Sequence, residues 1–332
     1  MRALLGRAFG GIAALREAAY RRGLFPRSTL QGPVISVGNL SVGGSGKTPV
    51  VAYLAALVRD AGLPAAILSR GYRGSFRGDA LVVGDGATVL ATAEAAGDEP
   101  VMLARELEGV VVAVGRRRDV VGRAVEARFG RRVHILDDGF QHLRLARDLD
   151  VLCLDLRDLR DRPLPAGRLR ERPGAARRAD VVLITGPDDA SPEAIAWSVD
   201  ALGADRTHLV RRRPLGFFDE DGAMATPPTR PYLLAGIARP ERFLADVRGM
   251  AGTLAGQRFF PDHHAFSAAD LRAVGGEAVR LGADAIVTTA KDRVRLPRAE
   301  LGLPVLVLRL SVEISDEVLF RSRVLEIARR AA

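Results

Sequence analysis

Cysteine is almost absent from this 332-residue chain. The single thiol, Cys153, excludes an internal disulfide and any zinc site built on several thiolates. Its place in the apolar run 151–154 reads as buried core. A chain without disulfides suits a reducing compartment. Aromatic residues make up only 5%, and no basic stretch interleaves with them, which counts against a nucleic-acid-binding surface despite the net charge of +9. Lysine is nearly missing as well: Lys47 and Lys291 are the only two among 49 basic residues. Where arginine is used so freely, Lys47 marks a position that calls for a compact ammonium on a flexible stem. No run of about 18 apolar residues occurs, so no membrane-spanning helix is expected. The N-terminus lacks the uninterrupted apolar core and cleavage site of a secretory signal, so a cytoplasmic location is expected.

The hydrophobic fraction, 48%, is enough for a buried core, and the length suggests two domains. Residues 1–25 read as an amphipathic helix: Met1, Leu4, Leu5, Ala8, Phe9, Ile12 and Leu15 recur at spacings of three and four, with arginines between and beyond them, and Pro26 ends the pattern. Short apolar runs follow at 34–37, 65–68, 110–114, 133–136, 150–154 and 181–185, most of them separated by helix-like segments. That alternation predicts a mostly parallel α/β sheet with helices on both faces. Residues 211–230, rich in Pro, Gly and charge, predict a linker or irregular hinge. Alternation resumes beyond it. The expected organisation is therefore a helix over 1–25, a larger domain over 26–210, the hinge, and a smaller α/β domain over 231–332.

The first apolar run leads into Gly43-Gly44-Ser45-Gly46-Lys47-Thr48, at a strand-to-helix junction. Glycines let backbone N–H groups close on phosphate oxygens, a lysine reaches the β- and γ-phosphates, and a hydroxyl binds Mg²⁺. This is the pattern of a P-loop NTPase, with one departure: Ser41 stands where the usual first glycine would be. A second strand ends in Asp137-Asp138. In phosphate-loop enzymes a carboxylate at such a strand end holds Mg²⁺.

Further strings accompany these: Leu68-Ser69-Arg70-Gly71-Tyr72, Gly97-Asp98-Glu99-Pro100, Gly139-Phe140-Gln141-His142, Arg170-Glu171, Gly236-Ile237-Ala238-Arg239-Pro240, Phe260-Pro261-Asp262-His263-His264 and Thr289-Ala290-Lys291-Asp292. Their order over nearly the whole chain resembles the tetraacyldisaccharide 4′-kinases, the lipid A 4′-kinases of Gram-negative bacteria. The resemblance implies ATP and Mg²⁺ as cofactors. It implies transfer of the γ-phosphoryl to the 4′-hydroxyl of a tetraacylated glucosamine disaccharide 1-phosphate, giving lipid IVA. It also implies a peripheral protein at the cytoplasmic face of the inner membrane; a monomer is expected.

By the same resemblance, Lys47 serves the β/γ-phosphates and Arg170 the transferring group. Thr48, Asp138, Asp137 and Glu171 are the candidate magnesium ligands. Asp98 is the expected base, oriented by His263 from the other domain, with His264 the alternative. Asn39, Arg70, Tyr72, Gln141 and His142 are the expected substrate contacts. A competing reading is a phosphate-loop GTPase or nucleotide-driven metal chaperone, in which Thr289-Ala290-Lys291-Asp292 would read guanine.

Overall fold

The computed structural model describes residues 1–43, 46–186, 190–296 and 301–330. In chain order the elements of the first half are α1 (Arg2–Arg21), β1 (Val34–Gly38), α2 (Lys47–Asp60), β2 (Ala65–Ser69), β3 (Leu81–Gly84), α3 (Ala93–Ala96), α4 (Asp98–Glu106), β4 (Val110–Val114), α5 (Arg118–Phe129), β5 (Val133–Asp137) and β6 (Leu149–Leu154). They continue with β7 (Val181–Thr185), α6 (Pro192–Leu202), β8 (Thr207–Phe218), β9 (Met224–Ala225), β10 (Pro231–Ala235), α7 (Pro240–Arg248) and β11 (Gly256–Phe259). The last are α8 (Ala268–Arg280), β12 (Ala285–Thr289), α9 (Ala290–Arg295), β13 (Val305–Ile314) and α10 (Glu317–Arg329).

The chain forms two compact units, Met1–Arg212 with Val312–Ala332, and Arg213–Ser311. In the larger unit the strand order is β8-β7-β6-β1-β5-β2-β4-β3. Every pairing is parallel except β3 with β4. β1, β2, β4, β5 and β6 are buried at every position, which requires cover on both faces of the sheet. Val121 and Val125 of α5 pack on Ala66, Leu68, Val111 and Ala113 on one face. In the smaller unit β11, β10, β12 and β13 pair in parallel, and β9 pairs with the far end of β8 antiparallel. Its core joins Tyr232, Leu234 and Ile286 to Leu271, Val274 and Ala278 of α8.

Two boundaries differ from the sequence reading. Residues 211–218 continue β8 instead of forming an irregular hinge: Arg211, Arg213 and Leu215 are exposed and alternate with half-buried neighbours. That two-residue period is masked in the sequence by Pro214 and the run of charge. Residues 312–330 also fall with the larger unit. The reason is packing on α10, where the Phe320 ring lies 6.3 Å from that of Tyr53 in α2 and 5.6 Å from that of His208, and Tyr53 Oη donates to Glu317 Oε1 at 2.7 Å. The N-terminal helix stops at Arg21, where Gly23 takes a left-handed φ of 73°, before Pro26.

Candidate active site

β1 lies between β5 and β6, and its last residue, Gly38, opens the phosphate loop. Gly38 admits no side chain there: a Cβ would stand 2.5 Å from that of Phe140. Gly43 and Gly46 take left-handed φ values of 110° and 74°, which only glycine adopts without strain, and Gly46 caps the N-terminus of α2. The helix N-terminus adds partial positive charge where an anion would sit. Gly44 and Ser45 lie outside the described residues. Ser41, at the departure from the usual motif, does not take a positive φ, so glycine is not required. Instead it pins the loop: its hydroxyl donates to Asp158 Oδ2 at 2.9 Å, and its backbone bridges Leu169. Arg170 N donates to Leu40 O at 2.7 Å, which delivers Arg170 beside the loop.

β5 delivers the two carboxylates. Val37 pairs with Asp137, and Gly139 N donates to Val37 O at 2.9 Å, so the turn after β5 is tied to the strand that feeds the loop. The two aspartates then separate. Asp137 is buried and accepts from Ser69 Oγ at 2.8 Å. Burial, with the charge of Glu99 adding to it, pushes its carboxyl up to about 6. Asp138 takes a left-handed φ of 53°, a strained conformation of the kind that collects at functional sites. Its carboxylate is 3.1 Å from Lys47 Nζ and receives Arg170 Nη1 at 2.7 and 2.8 Å. Burial opposes its charge, but Lys47 and Arg170 hold it below the usual carboxylate range.

Lys47 also donates to Asn39 Oδ1 at 2.9 Å, and Gln141 Nε2 donates to Asn39 O at 2.9 Å. Asn39 and Gln141, expected to touch substrate, thus brace the loop itself. Thr48 Oγ1 donates to Glu99 Oε2 at 3.3 Å. No cluster of three or more His, Cys, Asp or Glu side chains at metal-binding spacing occurs among the described residues. Thr48 meets Glu99, and the charge of Glu99 acts on buried Asp137; together the three offer an all-oxygen donor set. Such a set suits Mg²⁺, which keeps several of its waters and takes one or two carboxylates. Glu171 is not part of it: its carboxylate is held by Arg178 at 2.5 and 2.7 Å.

Asp98 is the first residue of α4, and Gly97 before it has a φ of 92°. A Cβ at Gly97 would meet Tyr72 O at 2.5 Å, so the 69–72 loop presses on the turn that presents Asp98. Arg70 and Tyr72 are exposed at this rim. His142 is half-buried; burial, then the nearby Arg118, pushes its imidazole down to about 3.

In the smaller unit three motifs meet. Asp292 Oδ2 accepts from Gly236 N at 3.0 Å and from Thr289 Oγ1 at 2.7 Å, and Arg295 pairs with its other oxygen. Asp292 is fully buried in this role and is not presented to a guanine base. Gly236 O accepts from His263 N at 3.1 Å. His263 takes a left-handed φ of 63°; its Nε2 lies 3.1 Å from Lys291 Nζ and 3.7 Å from Asp262. His264 points elsewhere, 3.1 Å from Asp270 and stacked on Phe260 at 4.4 Å. Sequence reasoning missed Glu99, Ser69, Asp158 and Arg178 as site residues. Glu99 and Ser69 carried a signal, since both stand in quoted strings, Glu99 beside Asp98 and Ser69 beside Arg70.

Comparison with known proteins places this geometry. A family model described as tetraacyldisaccharide-1-P 4′-kinase matches residues 2–329. A protein named tetraacyldisaccharide 4′-kinase from Anaeromyxobacter dehalogenans is 45% identical over 88% of this chain and 79% of its own length. One of the same name from Desulfotalea psychrophila is 38% identical over 95% and 93%. The crystal structure of LpxK from Aquifex aeolicus in complex with ATP superposes with a TM-score of 0.81 at 30% identity, covering 97% of each chain. A strand-fed phosphate loop, paired carboxylates and family motifs in both units thus agree with a match over nearly the full length: the chain belongs to the tetraacyldisaccharide-1-P 4′-kinase family.

Proposed function

We propose that this kinase moves the γ-phosphoryl of ATP to the 4′-hydroxyl of a tetraacyldisaccharide 1-phosphate, giving lipid IVA. The observation that carries the reading is the convergence of Lys47, Arg170 and Asp138 beside the glycine loop, in a chain that matches the family over residues 2–329. Phosphoryl transfer needs mainly positioning and charge neutralisation. Phosphate oxygens would replace Asn39 and Asp138 as partners of Lys47, and Arg170 would serve the transferring group. Thr48, Glu99 and Asp137 would hold Mg²⁺, which would supply charge neutralisation for the phosphoryl transfer. Asp98 is the proposed base for the sugar hydroxyl, and His263 is a second proposed catalytic residue. The commitment of His264 to Asp270 favours His263 for that role.

The substrate is a lipid, and α1 suits it. Its buried residues are Gly6 and Gly10, while Leu4 and Leu15 are 72% and 73% exposed and Leu5, Phe9 and Ile12 are exposed beside them. No helix among the described residues is long and apolar enough to cross a membrane. An apolar stripe on a basic helix fits a protein lying at the cytoplasmic face of the inner membrane. The test is incubation with radiolabelled ATP and the disaccharide 1-phosphate in lipid vesicles, with excess unlabelled GTP as competitor. Label should pass to the lipid, resist GTP, and fall by at least about a thousandfold in Lys47→Ala. No labelled lipid from the unaltered protein would overturn the assignment.

A further inference from the structure

Arg178 belongs to none of the motifs, yet it joins the N-terminal helix to the site. It ends the short 3-10 turn Pro173–Arg178. Its guanidinium donates to both carboxylate oxygens of Glu171, at 2.5 and 2.7 Å, and to Phe140 O at 2.9 Å. It also lies 3.8 Å from the centroid of the Phe140 ring. Glu17 of α1 stands 3.5 Å from Nη1, the same nitrogen that meets Glu171. A second strut runs parallel to it: Arg16 of α1 donates to Gln141 O at 3.2 Å. Phe140 and Gln141 are the residues after the Asp137-Asp138-Gly139 turn, and Phe140 is the fully buried floor against which Gly38 enters the phosphate loop. Glu171 adjoins Arg170, the partner of Asp138.

We propose that Arg178 is a positioning residue that transmits the seating of α1 to the turn 137–142 and to Arg170. A planar fork is needed for this, because only a guanidinium can bind a carboxylate on two oxygens, donate to a carbonyl and stack on a ring at once. Seating itself depends on glycine: a Cβ at Gly6 would stand 2.8 Å from both Ala166 Cβ and Pro163 O. When α1 is seated, Arg16 holds the turn at Gln141 O, and Glu17 together with Glu171 holds Arg178 against Phe140. When α1 shifts, the turn loses those struts, and the aspartates and Arg170 lose register. The transfer rate is then tied to where α1 lies. The kinetic part of the proposal rests on the kinase reading; the structural part does not.

The experiment compares Gly6→Val, Arg178→Gln and their double variant in the intact chain, by hydrogen–deuterium exchange and by kinase turnover. Gly6→Val should speed amide exchange across residues 137–142 about tenfold, and Arg178→Gln should remove most of that response. Turnover number should fall about tenfold or more in each single variant, the scale expected of slightly misplaced groups, with the KM for ATP within roughly threefold; the double variant should be no worse than the poorer single. Arg178→Lys should recover only part of the turnover number. Gly6→Val raising exchange in α1 alone, or multiplicative losses in the double variant, would overturn the coupling. If Arg178→Gln melts early, Glu17→Gln takes its place under the same two criteria. If the unaltered protein labels no lipid, the proposed function fails, while the exchange data still decide the coupling.

Discussion

In the larger unit, Asn39, Lys47, Asp138, Arg170 and Gln141 are joined in turn by side-chain hydrogen bonds and ion pairs beside the exposed Gly43 and Gly46. In the smaller unit, the motif carboxylate Asp292 is buried and bound to the amide of Gly236, the hydroxyl of Thr289 and Arg295. The same residue type in two equally conspicuous motifs thus does two kinds of work. Charges that hold each other at a loop can be exchanged for the charges of a ligand. A charge bound to buried backbone cannot leave without the fold giving way. Beside Asp292, the only motif groups of the smaller unit that cluster toward chemistry among the described residues are His263, Lys291 and Asp262.

Three substitutions can break that contrast. The largest effect is expected at Asp98. Asp98→Asn should lower the turnover number by about 10²–10⁴, the range of general-base contributions, while equilibrium ATP binding stays within a few-fold. Turnover close to that of the unaltered protein would remove Asp98 from the chemistry. Next comes Asp292→Ala, which removes the carboxylate partner of Arg295 and leaves the amide of Gly236 without its acceptor. It should cost about 3–5 kcal/mol of stability, read from denaturant unfolding, before any kinetic effect is considered. A variant of normal stability with no turnover would instead make Asp292 a chemical group and erase the contrast.

The smallest effect is expected at His142. Its imidazole is held neutral by burial and by Arg118, with a pKa pushed down to about 3. The unfolded chain therefore binds a proton near pH 6.5 that the folded chain refuses. The stability this contributes is complete above pH 6.5 and is lost as the pH falls toward 3. Discounted for the part of the ring that water reaches, the loss between pH 7 and pH 5 is on the order of 1 kcal/mol. His142→Gln should flatten that dependence in thermal melts, and an unchanged slope would assign the acid sensitivity to other groups.

Much of this was readable in the sequence. The strand 110–114 and the helix starting at Lys47 fall where apolar period and glycine placed them. The loop and the paired aspartates were visible because their residue types and spacing express chemistry directly, whereas Asp98 was singled out only through the family resemblance. The rest depends on contacts between distant segments. Nothing local says that Asp138 is paired with Lys47 and Arg170 while Asp137 is left buried beside Ser69 and Glu99. Nothing local turns Glu171 toward Arg178. The helix pattern of residues 1–25 gave the apolar stripe, but the buried face is made by Gly6 and Gly10, which a hydrophobic pattern does not register. The same holds for β8, where a two-residue exposure period hides under arginine and proline.

The central claim is that the glycine loop grips a triphosphate that Lys47 and Arg170 neutralise, with Thr48, Glu99 and Asp137 around the cation. A crystal structure with a non-hydrolysable ATP analogue and Mg²⁺ tests it most directly. The account predicts Lys47 Nζ moved from Asn39 and Asp138 onto the β- and γ-phosphate oxygens, and the cation on Thr48 Oγ1 beside Glu99 and Asp137. Lys47 still on Asn39 and Asp138, with the nucleotide bound away from residues 43–48, would contradict it.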